Sequence, residues 1–165
     1  MVSDTRSNNR FHKRIRLERK LYAQPGTICS VTIGARERHS IFAEPEIAGP
    51  ACDVLHRHAH NTGVPVYVYC LMPDHAHLVL GPSQNCDIIA FVGQFKNLAQ
   101  RQVWKLGVTG RIWQVSFWDR FVREEENLDE VVRYVLHNPV RKGLAAEWRD
   151  YEFSGSLVYD LSGWL

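Results

Sequence analysis

The stretch "VPVYVYCLMPDHAHLVL", residues 64–80, constrains this chain more than any other. Residues 64–71 are dense in β-branched and aromatic side chains, "MPD" supplies a turn, and "HAHLVLG" returns as a second such run. Two strands joined by a short turn must be covered by other elements, and the flanking segments have the periods to cover them. Residues 45–62 place Ala51, Val54, Leu55 and His58 at helical spacing and stop at Gly63. From 86 to 105, Ile88, Phe91, Val92, Phe95, Leu98 and Ala99 form one stripe, while Gln94, Lys96, Asn97, Gln100 and Arg101 form the opposite face. "GTICSVTIGA" (26–35) reads as a further strand, opened by Pro25-Gly26, and "WQVSFWDRFVR" (113–123) as another. "NLDEVVRYVLHNP" (127–139) reads as an amphipathic helix ended by Pro139, because the residue before a proline is pushed out of the α region. The order is β-α-β-β-α-β-α. Its first six elements match the split βαβ arrangement, which predicts an α+β, ferredoxin-like antiparallel sheet with helices packed against it. Residues 145–165 read as an irregular tail carrying Trp148 and Trp164.

At 165 residues the chain is most simply one domain, over residues 21–165, behind a basic arm at 1–20. The arm carries seven Lys or Arg against Asp4 and Glu18, a balance of +5 on a chain whose net charge is +2. A basic arm on a slightly acidic body suits a polyanionic partner, and it equally suits a solubilising leader. No run approaches the roughly 20 apolar residues of a membrane span, and the first twenty residues lack the apolar segment of a signal peptide. Cys29, Cys52, Cys70 and Cys86 are widely spaced, without a Cys-x-x-Cys pair, so neither a disulfide framework nor a zinc ribbon is indicated. The expected compartment is the cytoplasm.

Two residues apart on a strand, His75 and His77 face the same side, while Ala76, Leu78 and Leu80 face the other. Paired imidazoles are a partial shell for a divalent cation, and they are equally two half-buried histidines hydrogen-bonded to neighbours. Counting about 100° per residue along 127–139, Leu128, Val131, Val132, Val135 and Leu136 share one apolar arc. Tyr134 and Asn138 fall together on one edge of that arc, and His137 points away from it. If this helix packs on the histidine face, Tyr134 and Asn138 can reach the histidines and His137 cannot. A rival set, Cys52, His56 and His60, lies on one helix face at i, i+4 and i+8, without an evident fourth ligand.

"YCLMPDHAHLVL", followed by "RYVLHNPVRKGL", resembles the single-tyrosine HUH transposases, most of all the branch of REP-associated tyrosine transposases. "PGTICSVTIGARERHSIF", "QFKN", "IWQVSFWDRFVREEENLDEVVRYVLHNPVRKGL" and "DYEFSGS" extend the likeness over nearly all of residues 20–160. The resemblance implies an HUH endonuclease fold that nicks single-stranded DNA and transfers the strand through a 5′-phosphotyrosine. Tyr134 would be the nucleophile, with His75, His77 and Asn138 holding a divalent ion, Mg²⁺ or Mn²⁺, in a site that would also accept Zn²⁺. The partner implied is single-stranded hairpin DNA, such as a REP-like palindrome, bound by a monomer or a homodimer. Candidate phosphate contacts are Arg14 and Arg16 in the arm, Lys96 and Arg101 on the polar helix face, and Arg120, Arg123 and Arg141. Tyr67, Tyr69 and Trp118 could stack on unpaired bases, although packing suits them as well. Two other readings stand beside this one: a hairpin-binding module without catalysis, and a metal-dependent hydrolase that uses water.

Overall fold

The computed structural model describes residues 18–164, so Arg14, Arg16 and most of the basic arm lie outside the described residues. The elements run β1 (Cys29–Gly34), α1 (Pro45–Thr62), β2 (Val66–Met72), β3 (His75–Leu80), α2 (Ile88–Lys105), β4 (Trp118–Phe121) and α3 (Leu128–Leu136). A short helix α4 (Asn138–Arg141) and a two-residue strand β5 (Ser154–Gly155) follow. The strands make one sheet in the order β4-β1-β3-β2-β5, with every neighbouring pair antiparallel. The inner order β4-β1-β3-β2 is what two split βαβ units produce, so the α+β, ferredoxin-like expectation holds.

The alternation of each strand divides the core between two faces. Val31, Ile33, Ala76, Leu78 and Leu80 point to the face covered by α1 and α2, where they meet Ala51, Leu55, Phe91 and Phe95. Val68, Cys70, Met72 and Val79 point the other way and pack with Val132, Val135 and Leu136 of α3. An irregularity in the β2–β3 register between Val66 and Val68 switches the facing of β2, so that Val66 and Val68 serve opposite cores. Pro45 in the first turn of α1 and Gly63 just past its end, at φ +69°, set the limits of that helix.

Phe91 is fully buried and stacks on His58 at a centroid distance of 4.4 Å. Phe91→Ala is expected to lower folding stability by about 3–5 kcal/mol, as a cavity in a packed core does. Urea unfolding would read this as a fall in the midpoint at constant slope. Leu98→Ala is the control and should change little.

Leu98 serves as the control because it is 41 % exposed, at the margin of a stripe that runs instead through Ala99 to Val103. Three other expectations need correction. The strand anticipated over 113–123 narrows to Trp118–Phe121, with an isolated bridge between Ala35 and Trp113. Pro139 does not end the helical segment. It occupies the first turn of α4, where its missing N–H leaves no bond unmade, and only His137 interrupts the helix. The irregular tail contains β5, which adds to the free edge of β2 by pairing Ser154 with Cys70 and Gly155 with Tyr69.

Candidate active site

His75 lies opposite Met72, and His77 opposite Cys70, in the β2–β3 pair. Directly opposed residues share a face, so both imidazoles stand on the side of the sheet that α3 covers through Val132, Val135 and Leu136. The condition set by the sequence, that this helix packs on the histidine face, is met. The two rings are perpendicular, with centroids 4.6 Å apart, and their Nε2 atoms face each other at 2.9 Å.

Each ring is held at its other nitrogen. His75 Nδ1 lies 2.6 Å from Asp74 Oδ1, and His77 Nδ1 lies 3.1 Å from the Thr32 hydroxyl on β1. Asp74 is in turn 3.0 Å from the Arg38 guanidinium. Burial opposes the charge on Asp74, but its hydrogen bond to His75 and the charges of His75 and Arg38 hold the carboxyl below its usual range. Arg38 reaches Asp74 from a loop in which Glu37 and Arg38 adopt φ values of +55° and +59°. Two consecutive non-glycine residues in the left-handed region store strain, and the Arg38–Asp74 ion pair is one interaction that offsets it. Burial, followed by the nearby charges of His75, Arg141 and Arg38, lowers His77 to about 4, so its imidazole is neutral near pH 7.

The second half of the site lies on α3 and α4. Tyr134 is 64 % exposed and lies under the Arg141 guanidinium, whose central carbon is 3.9 Å from the ring centroid. Arg141 also donates to the Tyr134 carbonyl and to Asn138 Oδ1, both at 2.8 Å. The Asn138 Nδ2 atom is buried without a partner. Tyr134, Asn138 and Arg141 thus form one cluster and the histidines another, and the charge of Arg141 is felt at His77. His137 stays apart from both, bonding the Arg133 carbonyl through Nδ1 at 2.8 Å.

The histidine pair fits an ion. Both Nδ1 atoms bond elsewhere and the Nε2 atoms bond each other, so an ion that displaced the proton between them would meet two lone pairs, and an acidic residue behind a ligating imidazole is a usual support. Two nitrogens at about 2.1 Å from one ion and at right angles to each other stand about 3 Å apart, close to the observed spacing. The rival set does not assemble. Cys52 is buried, its thiol is pushed up to about 12 by burial and then by Asp53, and His56 packs edge-on against Tyr69. Among the described residues no group of three or more His, Cys, Asp and Glu is placed to hold a metal. An ion at the two histidines would need amide, water or substrate oxygens to complete its shell.

The arginines and lysines divide by what already holds them. Arg120 makes a two-pronged contact with Glu126 at 2.6 and 2.8 Å, and the Arg123 backbone N–H bonds the same carboxylate. Lys96 donates to the Gln114 and Val115 carbonyls at 2.6 and 3.0 Å. Arg101 lies exposed on α2. Tyr69 is buried, its hydroxyl pushed up to about 12 mainly by that burial, and Tyr67 packs on Tyr159, so both tyrosines serve packing. Trp118 is exposed on the edge strand β4. Asp74, Arg38 and Thr32 were not singled out by the sequence. Asp74 was within reach, since it precedes His75 directly and ends the turn.

The sequence pattern of a family described as IS200-like transposases matches residues 27–138. A curated relative from Haemophilus influenzae, assigned by name to the REP-associated tyrosine transposases, is 29 % identical over 97 residues, covering 52 % of this chain and 54 % of the relative. The chain thus spans about half the length of that relative. A solved structure of a REP-associated tyrosine transposase bound to a REP hairpin superposes with a TM-score of 0.64 and 20 % identity, over 81 % of this chain and 78 % of that one. A crystal structure of a Deinococcus radiodurans protein assigned as a transposase gives 0.51 and 23 %, over 66 % and 87 %. These likenesses establish the fold. Among the described residues no helix is long and apolar enough to cross a membrane.

Proposed function

Because the chain belongs to the IS200-like transposases, we propose that it nicks single-stranded DNA beside a hairpin and transfers the strand through a covalent bond to Tyr134. The observation that carries this reading is the pair of Nε2 atoms, 2.9 Å apart, on the sheet face that the tyrosine-bearing helix covers. His75, His77 and the Asn138 amide oxygen would hold a divalent ion, Mg²⁺ or Mn²⁺. Such an ion, when bound, neutralises charge on the scissile phosphate and polarises the P–O bond.

The chain's own groups do the rest. The Tyr134 oxygen attacks phosphorus, its proton passes to solvent or to a nearby base, and a phosphotyrosine O–P bond forms as the P–O3′ bond breaks. The departing oxygen takes up a proton and leaves as a free 3′-hydroxyl. Because the phosphodiester is exchanged and not hydrolysed, a second 3′-hydroxyl can reverse the step and rejoin DNA without ATP. Exposure of Tyr134 allows a strand to approach it. Arg141, stacked on that ring and bonded to Asn138, is placed to turn towards a phosphate once Asn138 is engaged elsewhere. Arg101, Arg123 and the arm residues Arg14 and Arg16 are proposed as flanking phosphate contacts, while Arg120 and Lys96 must first exchange the partners they already have.

The test is covalent trapping. Labelled hairpin oligonucleotides with unpaired flanks are incubated with protein and Mn²⁺ and run on a denaturing gel. A protein-linked band that disappears with a chelator supports strand transfer by tyrosine. Cleaved DNA without such a band points to water as nucleophile, and DNA that is retained but uncut points to a binding module. Asp74→Asn is expected to weaken Mn²⁺ binding by about 10- to 100-fold, since it exchanges the carboxylate behind His75 for an amide. Calorimetric titration of the ion into the protein without DNA measures this. An unchanged affinity would remove Asp74 from the site.

A further inference from the structure

A cavity of about 540 Å³ lies between the second half of α2 and the 106–116 loop, lined by Lys96, Gln100, Trp104, Arg111, Trp113 and Gln114 among others. We infer that it is a subsite for one unpaired nucleotide of the DNA strand, whose base stacks on Trp104. This rests on the single-strand reading above and adds where the flanking strand runs.

Charge selects the occupant. From residue 88 to 118 the chain carries Lys96, Arg101, Lys105 and Arg111 and no acidic residue at all. Residues 21–87 and 119–165 together carry nine basic residues against sixteen acidic ones, a balance of −7. The groove beside Tyr134 belongs to that acidic part and is lined by Glu125, Glu126 and Glu130 with Arg120. The unpaired flank beyond the cleavage site is therefore drawn to the basic stretch of α2 and the 106–116 loop more than to the acidic groove.

The cavity is already shaped for a flat ring. Trp104 is 50 % exposed, an unusual position for the largest apolar side chain, yet it is not loose. Its indole N–H donates to the Gly110 carbonyl at 2.7 Å, and Gln100 donates to the same oxygen at 2.9 Å while accepting from the Ile112 N–H at 2.8 Å. Lys96 fastens the far end of the loop through the Gln114 and Val115 carbonyls. A platform fixed before binding loses little freedom when a base lands on it. Trp113, 2 % exposed, also lines the cavity, and its indole N–H is buried without a partner.

The cavity is also joined to the histidines. Gly34 pairs with His75 across β1 and β3, and a Cβ placed at Gly34 would lie 2.8 Å from the Gln114 side chain. The Gln114 amide therefore occupies the space that glycine leaves beside His75. Gln114 also lines the cavity, so this one residue borders both the strand neighbouring His75 and the cavity.

The test is fluorescence anisotropy with two labelled DNA hairpins, one with an unpaired flank and one blunt. Trp104→Ala should weaken the flanked hairpin by about 10- to 100-fold, the range for loss of one stacked base, and leave the blunt hairpin unchanged. Trp104→Phe, which keeps an aromatic face but loses the bond to Gly110, should restore most of the affinity. Arg111→Ala should weaken the flanked hairpin and flatten its salt dependence. Equal losses on both hairpins, or a lowered melting temperature with no flank-specific loss, would make Trp104 a structural residue and overturn the subsite. If wild-type protein binds flanked DNA and Trp104→Ala binds it equally well, the subsite alone fails. If wild-type protein binds neither hairpin, the single-strand reading fails with it.

Discussion

Tyr134→Phe should abolish the covalent DNA adduct and lower strand cleavage by about 10⁴-fold or more, the scale on which enzymes lose rate when a covalent nucleophile is removed. The substitution deletes one oxygen and leaves the ring that Arg141 covers. Because Tyr134 is mostly exposed and its described contacts are to Arg141, folding stability should move by less than about 0.5 kcal/mol. Hairpin binding should survive as well. The variant therefore separates chemistry from binding, with adduct on a denaturing gel read beside retained complex on a native one. Cleavage persisting in Tyr134→Phe would identify a water nucleophile and dismiss the phosphotyrosine.

His77→Ala should remove metal-dependent cleavage by about 10³-fold. That corresponds to the several kcal/mol an ion contributes to a phosphoryl transition state, at about 1.4 kcal/mol per tenfold in rate. His75→Ala should do the same, and the double substitution should be little worse than either alone, since one missing ligand already empties a site built on two imidazoles. The two singles differ in what they leave behind. Besides the Nε2 contact that both lose, His75→Ala strips Asp74 of its imidazole partner, leaving the carboxylate to Arg38, whereas His77→Ala releases the Thr32 hydroxyl. Single-turnover rates across a Mn²⁺ series, with thermal melts to confirm folding, measure both. Full activity in either variant, insensitive to chelator, would end the metal assignment.

The parts of this fold that could be read from the sequence are those whose period is imposed by burial. The 64–80 strand pair, α1 and the apolar arc of α3 all have one face in a core, so their patterns survive in the residues themselves. The parts that escaped are fixed by a partner elsewhere. β5 is two residues long and exists because β2 has a free edge, not because Ser154 and Gly155 favour a strand. β4 is short because, before Trp118, the chain leaves the ladder and bonds the end of β1 and the residues after it at Gly34–Gln114, Ala35–Trp113 and Arg36–Ile112. Pro139 misled because a proline that forbids one helix is well suited to begin the next. In the site, the two-residue period placed His75 and His77 together, and the helical count placed Tyr134 beside Asn138. Arg38 was hidden, because its reach to Asp74 depends on two left-handed residues with neither glycine nor asparagine to mark the turn.

The sheet is covered unequally, and this bears on motion. One face carries α1, α2 and a continuous cluster from Tyr22 to Phe117, while the histidine face is closed by α3 and the residues beyond it. Exchange of buried amide hydrogens in such a molecule is expected in two tiers, with the thinly covered layer opening at lower free energy than the whole. The tyrosine helix can then lift and reseat many times within the life of one folded molecule. Its strands stay aligned meanwhile, anchored from the opposite side.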